Sequence, residues 1–142
     1  MHLIRSSLQE QLAQLRDTGI ESWALGTGAA LPSVTLPDAM GRPMSLQTLN
    51  RDGPLVIVCY RGGWCPYCSL ELREWQRPLP ELRRHGAMLV AICNGPWMLP
   101  LPATYLIDRS GVVAYAHVEV AYLKRAEPQD VLDRLRDGAT PC

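Results

Sequence analysis

The sequence predicts an α/β fold of three layers, a central mixed β-sheet flanked by helices, in a single domain of 142 residues. Three observations carry this. Two continuous apolar runs of strand length, 55–60 and 87–93, bracket a segment with helical spacing, an order that pairs the strands in parallel through a right-handed crossover. Between 103 and 118 the chain reads as a hairpin turning at Arg109-Ser-Gly111. Pro128 then opens a last helix carrying Val131, Leu132 and Leu135, which ends near Asp137-Gly138.

Each element has its own justification. Within residues 1–20, Ser7-x-x-Glu10 forms a capping box, and Leu8, Leu12 and Leu15 recur on one face, so an amphipathic helix is expected there. Small residues from 21 to 32 make a loop leading to the core, which spans 34–137. Val34-Thr-Leu36, a turn over 37–43 and Met44-Ser-Leu46 read as a short hairpin, followed by one helical turn over 45–49. The run 55–60 is apolar and β-branched throughout, as a strand buried on both faces must be, and it belongs at the middle of the sheet. The run 87–93 is expected to be a second buried strand on the same grounds. Between them Leu72, Trp75, Leu79 and Leu82 keep helical spacing, although Pro78 and Pro80 must bend or interrupt that helix. Three prolines keep 94–102 out of regular structure.

Composition excludes several classes of function. Lys and Arg number 14 and Asp and Glu number 14, so the field that would hold a nucleic-acid backbone or an acidic membrane surface is absent. No apolar run approaches the roughly 20 residues a bilayer span requires. The N-terminus has no apolar export core, and a cytoplasmic location is expected. Five cysteines at 59, 65, 68, 93 and 142 are too few and too irregular for a disulfide-stapled scaffold, so chemistry or burial must explain them.

The chemistry centres on Arg61-Gly-Gly-Trp-Cys-Pro-Tyr-Cys68, between the central strand and the helix after it. Two cysteines three apart on a first helical turn share a face, close enough for a disulfide to open and close between them. Unpaired amides and the dipole at a helix N-terminus favour an anion, which lowers a thiol pKa from about 8.5 toward neutrality. Cys65 is therefore the expected nucleophile, and Cys68, one turn further in, attacks the resulting mixed disulfide and releases the reduced product. Gly62 and Gly63 let the chain leave the strand tightly, and Pro66 needs no N–H donor on the first turn.

This stretch resembles thioredoxin-fold active sites, with Trp64 before the first cysteine as in thioredoxins and Cys-Pro-Tyr-Cys as in glutaredoxins. The longer run 60–68, together with Leu101-Pro-Ala-Thr-Tyr-Leu-Ile-Asp-Arg-Ser-Gly-Val-Val113, resembles the peroxiredoxin-like members of the alkyl-hydroperoxide-reductase/thiol-specific-antioxidant superfamily over roughly residues 30 to 135. The resemblance implies a thioredoxin-like sandwich, substrate contacts at Trp64, Pro66, Tyr67, Leu101 and Pro102, and auxiliary roles for Arg61 and Cys93. Pro102 suits the cis-proline of thioredoxins, which makes Leu101 the residue that offers its backbone to an extended substrate. Laid on the peroxiredoxin pattern Pro-x-x-x-Thr-x-x-Cys, the sequence puts Cys68 at the peroxidatic position, Cys65 at the Thr and Arg61 at the Pro. The Arg that binds peroxide in those enzymes is replaced by Pro102.

The resulting expectation is a thiol-disulfide oxidoreductase with no cofactor, acting on a protein or small-molecule disulfide. Two alternatives stand beside it, a peroxidase using Cys68 and a metal or iron–sulfur binding module. A four-ligand zinc site would need two further ligands, and no second CxxC is present. Cys59 is assigned to packing, Cys93 to packing with a third redox thiol as the alternative, and Cys142 to a tail, either inert or a late resolving thiol. Trp75 and Trp97 are read as packing, His2, His85 and His117 as isolated surface or capping residues, and Glu71 and Glu74 as a solvated helix face with a proton relay as the alternative. The resembling proteins carry a helix between the second strand and the Pro-Ala-Thr strand, where only 94–102 remains here. One sheet face would then lack its cover, and a homodimer is expected.

Overall fold

The computed structural model describes Asp17 and residues 24–93, 102–118 and 125–138. The N-terminal helix expected near 8–17, Leu101, Trp97, His2 and Cys142 lie outside the described residues, apart from a helical Asp17.

The first elements are the hairpin β1 (Thr35–Pro37) and β2 (Pro43–Ser45), antiparallel with Leu36 opposite Met44. Its turn is held by Asp38, whose Oδ1 accepts from the amides of Met40 at 2.8 Å and Arg42 at 2.9 Å. Helix α1 (Leu46–Arg51) follows at once, because Ser45 is its N-cap and accepts from the Thr48 amide. At the far end the buried Asn50 donates through Nδ2 to the carbonyls of Gly53 at 3.1 Å and Asp108 at 2.9 Å, tying α1 to a turn 58 residues away.

The main sheet has the order β4-β3-β5-β6. Strand β3 (Leu55–Tyr60) pairs in parallel with β4 (Met88–Cys93) and antiparallel with β5 (Ala103–Ile107), which pairs antiparallel with β6 (Val113–Val118). The mixed sheet and the central place of 55–60 are as expected. Between β3 and β4 run α2 (Pro66–Gln76) and α3 (Leu79–Arg84), separated where Pro78 and Pro80 remove amide donors. Helix α4 (Pro128–Gly138) closes the described chain.

Alternation along β3 sends its side chains to two cores. On one face Val56 and Val58 pack with Trp75, Leu82 and Leu106 under Val131, Leu132 and Leu135 of α4. On the other face Leu55 and Ile57 pack with Leu31, Leu46, Ile107 and Val113. A long helix is not what covers this second face; α1 and the stretch 25–34 do so, with Gly28 and Leu31 donating to the carbonyls of Val113 and Gly111.

The expectation of a second strand buried on both faces is corrected. Strand β4 is the outermost strand of the sheet, and Met88, Ala91 and Cys93 on it are exposed while Leu89, Val90 and Ile92 are half-buried. Its composition matches that of β3, but a position at the sheet edge gives it a single neighbour among the described residues, and Val90 and Ile92 are only partly covered where they pack against the second core. Apolarity alone does not distinguish an edge from a centre.

Candidate active site

The C-terminal end of β3 delivers the chain into the turn at Arg61, and the turn sets the start of α2. Gly62 has φ 157°, and a Cβ there would lie 2.5 Å from Nε1 of Trp64, so glycine lets the indole fold back over the turn. The Arg61 guanidinium stacks on that indole, 5.1 Å from the ring centroid. Trp64 is 59% exposed and Tyr67 46%, so two solvent-facing aromatic surfaces flank Cys65 along the chain, while Cys65 itself is buried.

Cys65 occupies the N-cap of α2, with its amide donating to the Gly62 carbonyl at 3.1 Å and its carbonyl accepting from the Ser69 amide at 3.1 Å. Pro66 takes the first helical position, where its missing N–H removes no bond. Burial pushes the Cys65 thiol up, but the neighbouring Cys68 thiol, the amides of Cys68 and Tyr67 and the Arg61 charge together outweigh it and hold the pKa below the ordinary value of 9.0. No side-chain cap hydrogen bond is closed at Cys65, so the amides act as aligned dipoles rather than as a fixed cap.

Cys68, one turn on, is fully buried. Arg125, just before α4, reaches it with Nη2 at 3.6 Å from Sγ, while Nη1 bonds Oε2 of Glu71 at 2.9 Å. Their side chains are 14% and 4% exposed, so this is a largely desolvated ion pair beside a sulfur. Burial raises the Glu71 carboxyl pKa, and Arg125 opposes the rise without cancelling it.

Reading Glu71 as part of a solvated face is therefore corrected, whereas Glu74 is exposed and pairs with Arg77 on the same helix. The spacing Cys68-x-x-Glu71 already puts both groups on one helix face. Arg125 carries no such local signal, since it lies 57 residues from Cys68 in the chain.

The remaining thiols separate clearly. Burial and then the Glu71 charge push Cys59 up to about 11, as befits a packed thiol. Cys93 is exposed at the end of β4, which corrects its assignment to packing. It lies opposite Tyr60 in the parallel register, and the Tyr60 phenol, its pKa raised by burial, bonds Cys93 and feels Cys68. Pro102 is buried immediately before β5, but the peptide bond that would be cis begins at Leu101, outside the described residues. Among the described residues no group of three or more His, Cys, Asp or Glu is arranged to hold a metal ion, and no helix is long and apolar enough to cross a membrane.

Comparison with known proteins agrees with this geometry. Residues 27–96 match the model of the AhpC/TSA family. No curated protein is significantly similar in sequence. Among solved structures, peroxidoxin BcpB from Mycobacterium tuberculosis superposes with a TM-score of 0.69 at 20% identity, over 80% of this chain and 98% of that one. Peroxiredoxin Q from Xanthomonas campestris gives 0.66 at 17% identity, over 81% and 100%. The thioredoxin domain of a thiol-disulfide oxidoreductase from Bacteroides vulgatus gives 0.64 at 13% identity, over 82% and 100%. Both kinds of neighbour share the mixed sheet and flanking helices found here. The matched stretch runs from the approach to the hairpin through the Cys65–Cys68 turn to just past β4, and over it this thioredoxin-fold chain is similar to the AhpC/TSA family.

Proposed function

We propose that the protein is a thiol-dependent oxidoreductase in which Cys65 and Cys68 cycle between dithiol and disulfide, with reduction of a protein or small-molecule disulfide as its reaction. The observation that carries this is the acidified Cys65 thiol at the start of α2 with a second sulfur one turn behind it. The Cys65 thiolate attacks one sulfur of the substrate disulfide, forming a mixed disulfide and expelling the other sulfur as thiolate, which takes up a proton. Cys68 then loses its proton and attacks Cys65 Sγ; the mixed disulfide breaks, the second substrate thiol leaves, and two electrons have passed from the protein to the substrate. Both sulfurs are buried, so the order of attack follows from the acidified Cys65 thiol at the helix start and not from exposure, and Arg125 sets a guanidinium beside Cys68 Sγ for the second step. The exposed Trp64 and Tyr67, with Pro66 between them, supply the surface that receives the substrate, and Arg61 holds Trp64 and lowers the Cys65 pKa.

One observation favours a second reading. A guanidinium 3.6 Å from Cys68 Sγ suits Cys68 as the sulfur that attacks a hydroperoxide, with O–O cleavage giving an alcohol or water and a sulfenate that Cys65 condenses into the same disulfide, releasing water. The two readings separate in one experiment. Under disulfide reduction, Cys65→Ser abolishes turnover and Cys68→Ser accumulates a mixed disulfide on Cys65, readable by mass. If Cys65→Ser still consumes one equivalent of hydroperoxide while neither variant traps a disulfide substrate, the peroxidase reading replaces the first.

A further inference from the structure

At the end of β3 opposite the cysteines, about 17 Å away along the strand, lies a cavity of about 390 Å³. Its floor is apolar, formed by Pro54, Leu106, Ala114 and Leu135. Its rim carries two guanidiniums, Arg109 from the β5–β6 turn and Arg134 from α4, beside the imidazole of His85 at the end of α3. Among the described residues neither arginine enters an ion pair.

The backbone is shaped around Arg109. Gly86 has φ 69°, and a Cβ on it would lie 3.1 Å from Arg109 Nη2; a Cβ on Gly53 would lie 4.0 Å from Nη1. Glycine at 86 lets the planar guanidinium rest against the main chain, whereas glycine at 53 makes room for the Gly86 carbonyl. Asp108, the acidic residue on the lining, is committed to its own turn: Oδ1 accepts from the Ser110 amide at 2.8 Å, the Ser110 hydroxyl at 2.6 Å and the Val112 amide at 3.1 Å. Two guanidiniums that form no ion pair among the described residues, set over an apolar floor, attract an anion, and their forked donors match the oxygens of a carboxylate or phosphate. The volume falls at the small end of the roughly 300–1,000 Å³ typical of ligand sites.

We infer that this cavity binds a small organic anion, an oxyanion head held by Arg109 and Arg134 on a compact apolar body resting on Leu106, Ala114 and Leu135. The inference does not depend on which sulfur chemistry the cysteines perform. Calorimetric titration of the full chain with benzoate, phenyl phosphate, acetate and inorganic phosphate tests it. Saturable binding of benzoate or phenyl phosphate is expected, about tenfold tighter than acetate or phosphate respectively because the ring is buried, and the better of the two aromatic probes identifies the head group. Arg109→Ala and Arg134→Ala each weaken that binding about tenfold, whereas Arg51→Ala on α1 leaves it unchanged. Arg109→Lys and Arg134→Lys, which keep the charge but lose the fork, fall between. Binding of the small anions as tight as that of the aromatic ones would overturn the apolar part of the site. No saturable binding, or binding indifferent to both arginines, would overturn the inference altogether.

Discussion

At the residue scale, the thiols of the central strand and of the helix start beside it illustrate how environment sets reactivity. Cys65 and Cys59 lie on opposite sides of the ordinary thiol value, one acidified at a helix start and one raised to about 11 in a packed strand. Alkylation of Cys65 by iodoacetamide is therefore expected to rise with pH below 9, and Cys59 should stay unreactive in the folded protein up to about pH 10; site-resolved mass spectrometry against pH reads both. The linked stability has a definite sign. Because the folded Cys59 pKa lies above the unfolded one, its contribution is present below pH 9 and is lost as pH rises toward about 11. Urea denaturation at pH 10.5 should show an alkaline loss that Cys59→Ala reduces by about 2 kcal/mol. The Glu71–Arg125 pair gives a sharper case. Removing Arg125 leaves a buried carboxylate without its partner, and Arg125→Ala should cost about 3 kcal/mol in equilibrium unfolding, with part of it restored in the Glu71→Gln background. Equal losses in both backgrounds would mean that the pair is not coupled.

At the scale of elements, punctuation decided where helices begin and end. Ser45 starts α1, Pro66 sits on the first turn of α2, and Pro78 with Pro80 divides α2 from α3. These are local effects, and the sequence displays them. The tie between α1 and the β5–β6 turn is different, since it depends on Asn50 reaching a carbonyl 58 residues away. Asn50→Ala removes the donor from two carbonyls at once and is expected to lower stability by about 2 kcal/mol, measured by chemical denaturation. A loss below about 0.5 kcal/mol would mean that water replaces the side chain at both carbonyls.

At the scale of the whole molecule, the short connection over 94–102 and the exposed outer strand bear on association. Strand β4 presents Met88 at 41% exposure and half-buried Leu89, Val90 and Ile92 at the edge of the sheet, a position that, among the described residues, has no strand on its outer side and so invites a further one. We propose that the protein is a homodimer that covers this edge and the adjoining sheet face. Sedimentation equilibrium at micromolar concentration should give twice the chain mass, and Met88→Glu should shift the equilibrium toward monomer at least tenfold. Monomer alone in the unmodified protein would sink the proposal.

The sequence by itself determined the βαβ order, the two hairpins, the interrupted helix and the Cys65–Cys68 turn, because each rests on contacts within a few residues: alternation, caps, prolines and glycine turns. It also pointed to the resemblance to the AhpC/TSA family through that turn. The central place of 55–60 was also legible, but only the tertiary structure decided that 88–93 is an edge, since two equally apolar runs differ solely in the neighbours the fold assigns them. Only it brought Arg125 to Glu71 and Cys68, and Arg109 to Arg134 beside an apolar floor. Those meetings join residues far apart in the chain, and no local pattern records a contact that exists only once the sheet has paired and the helices have packed upon it.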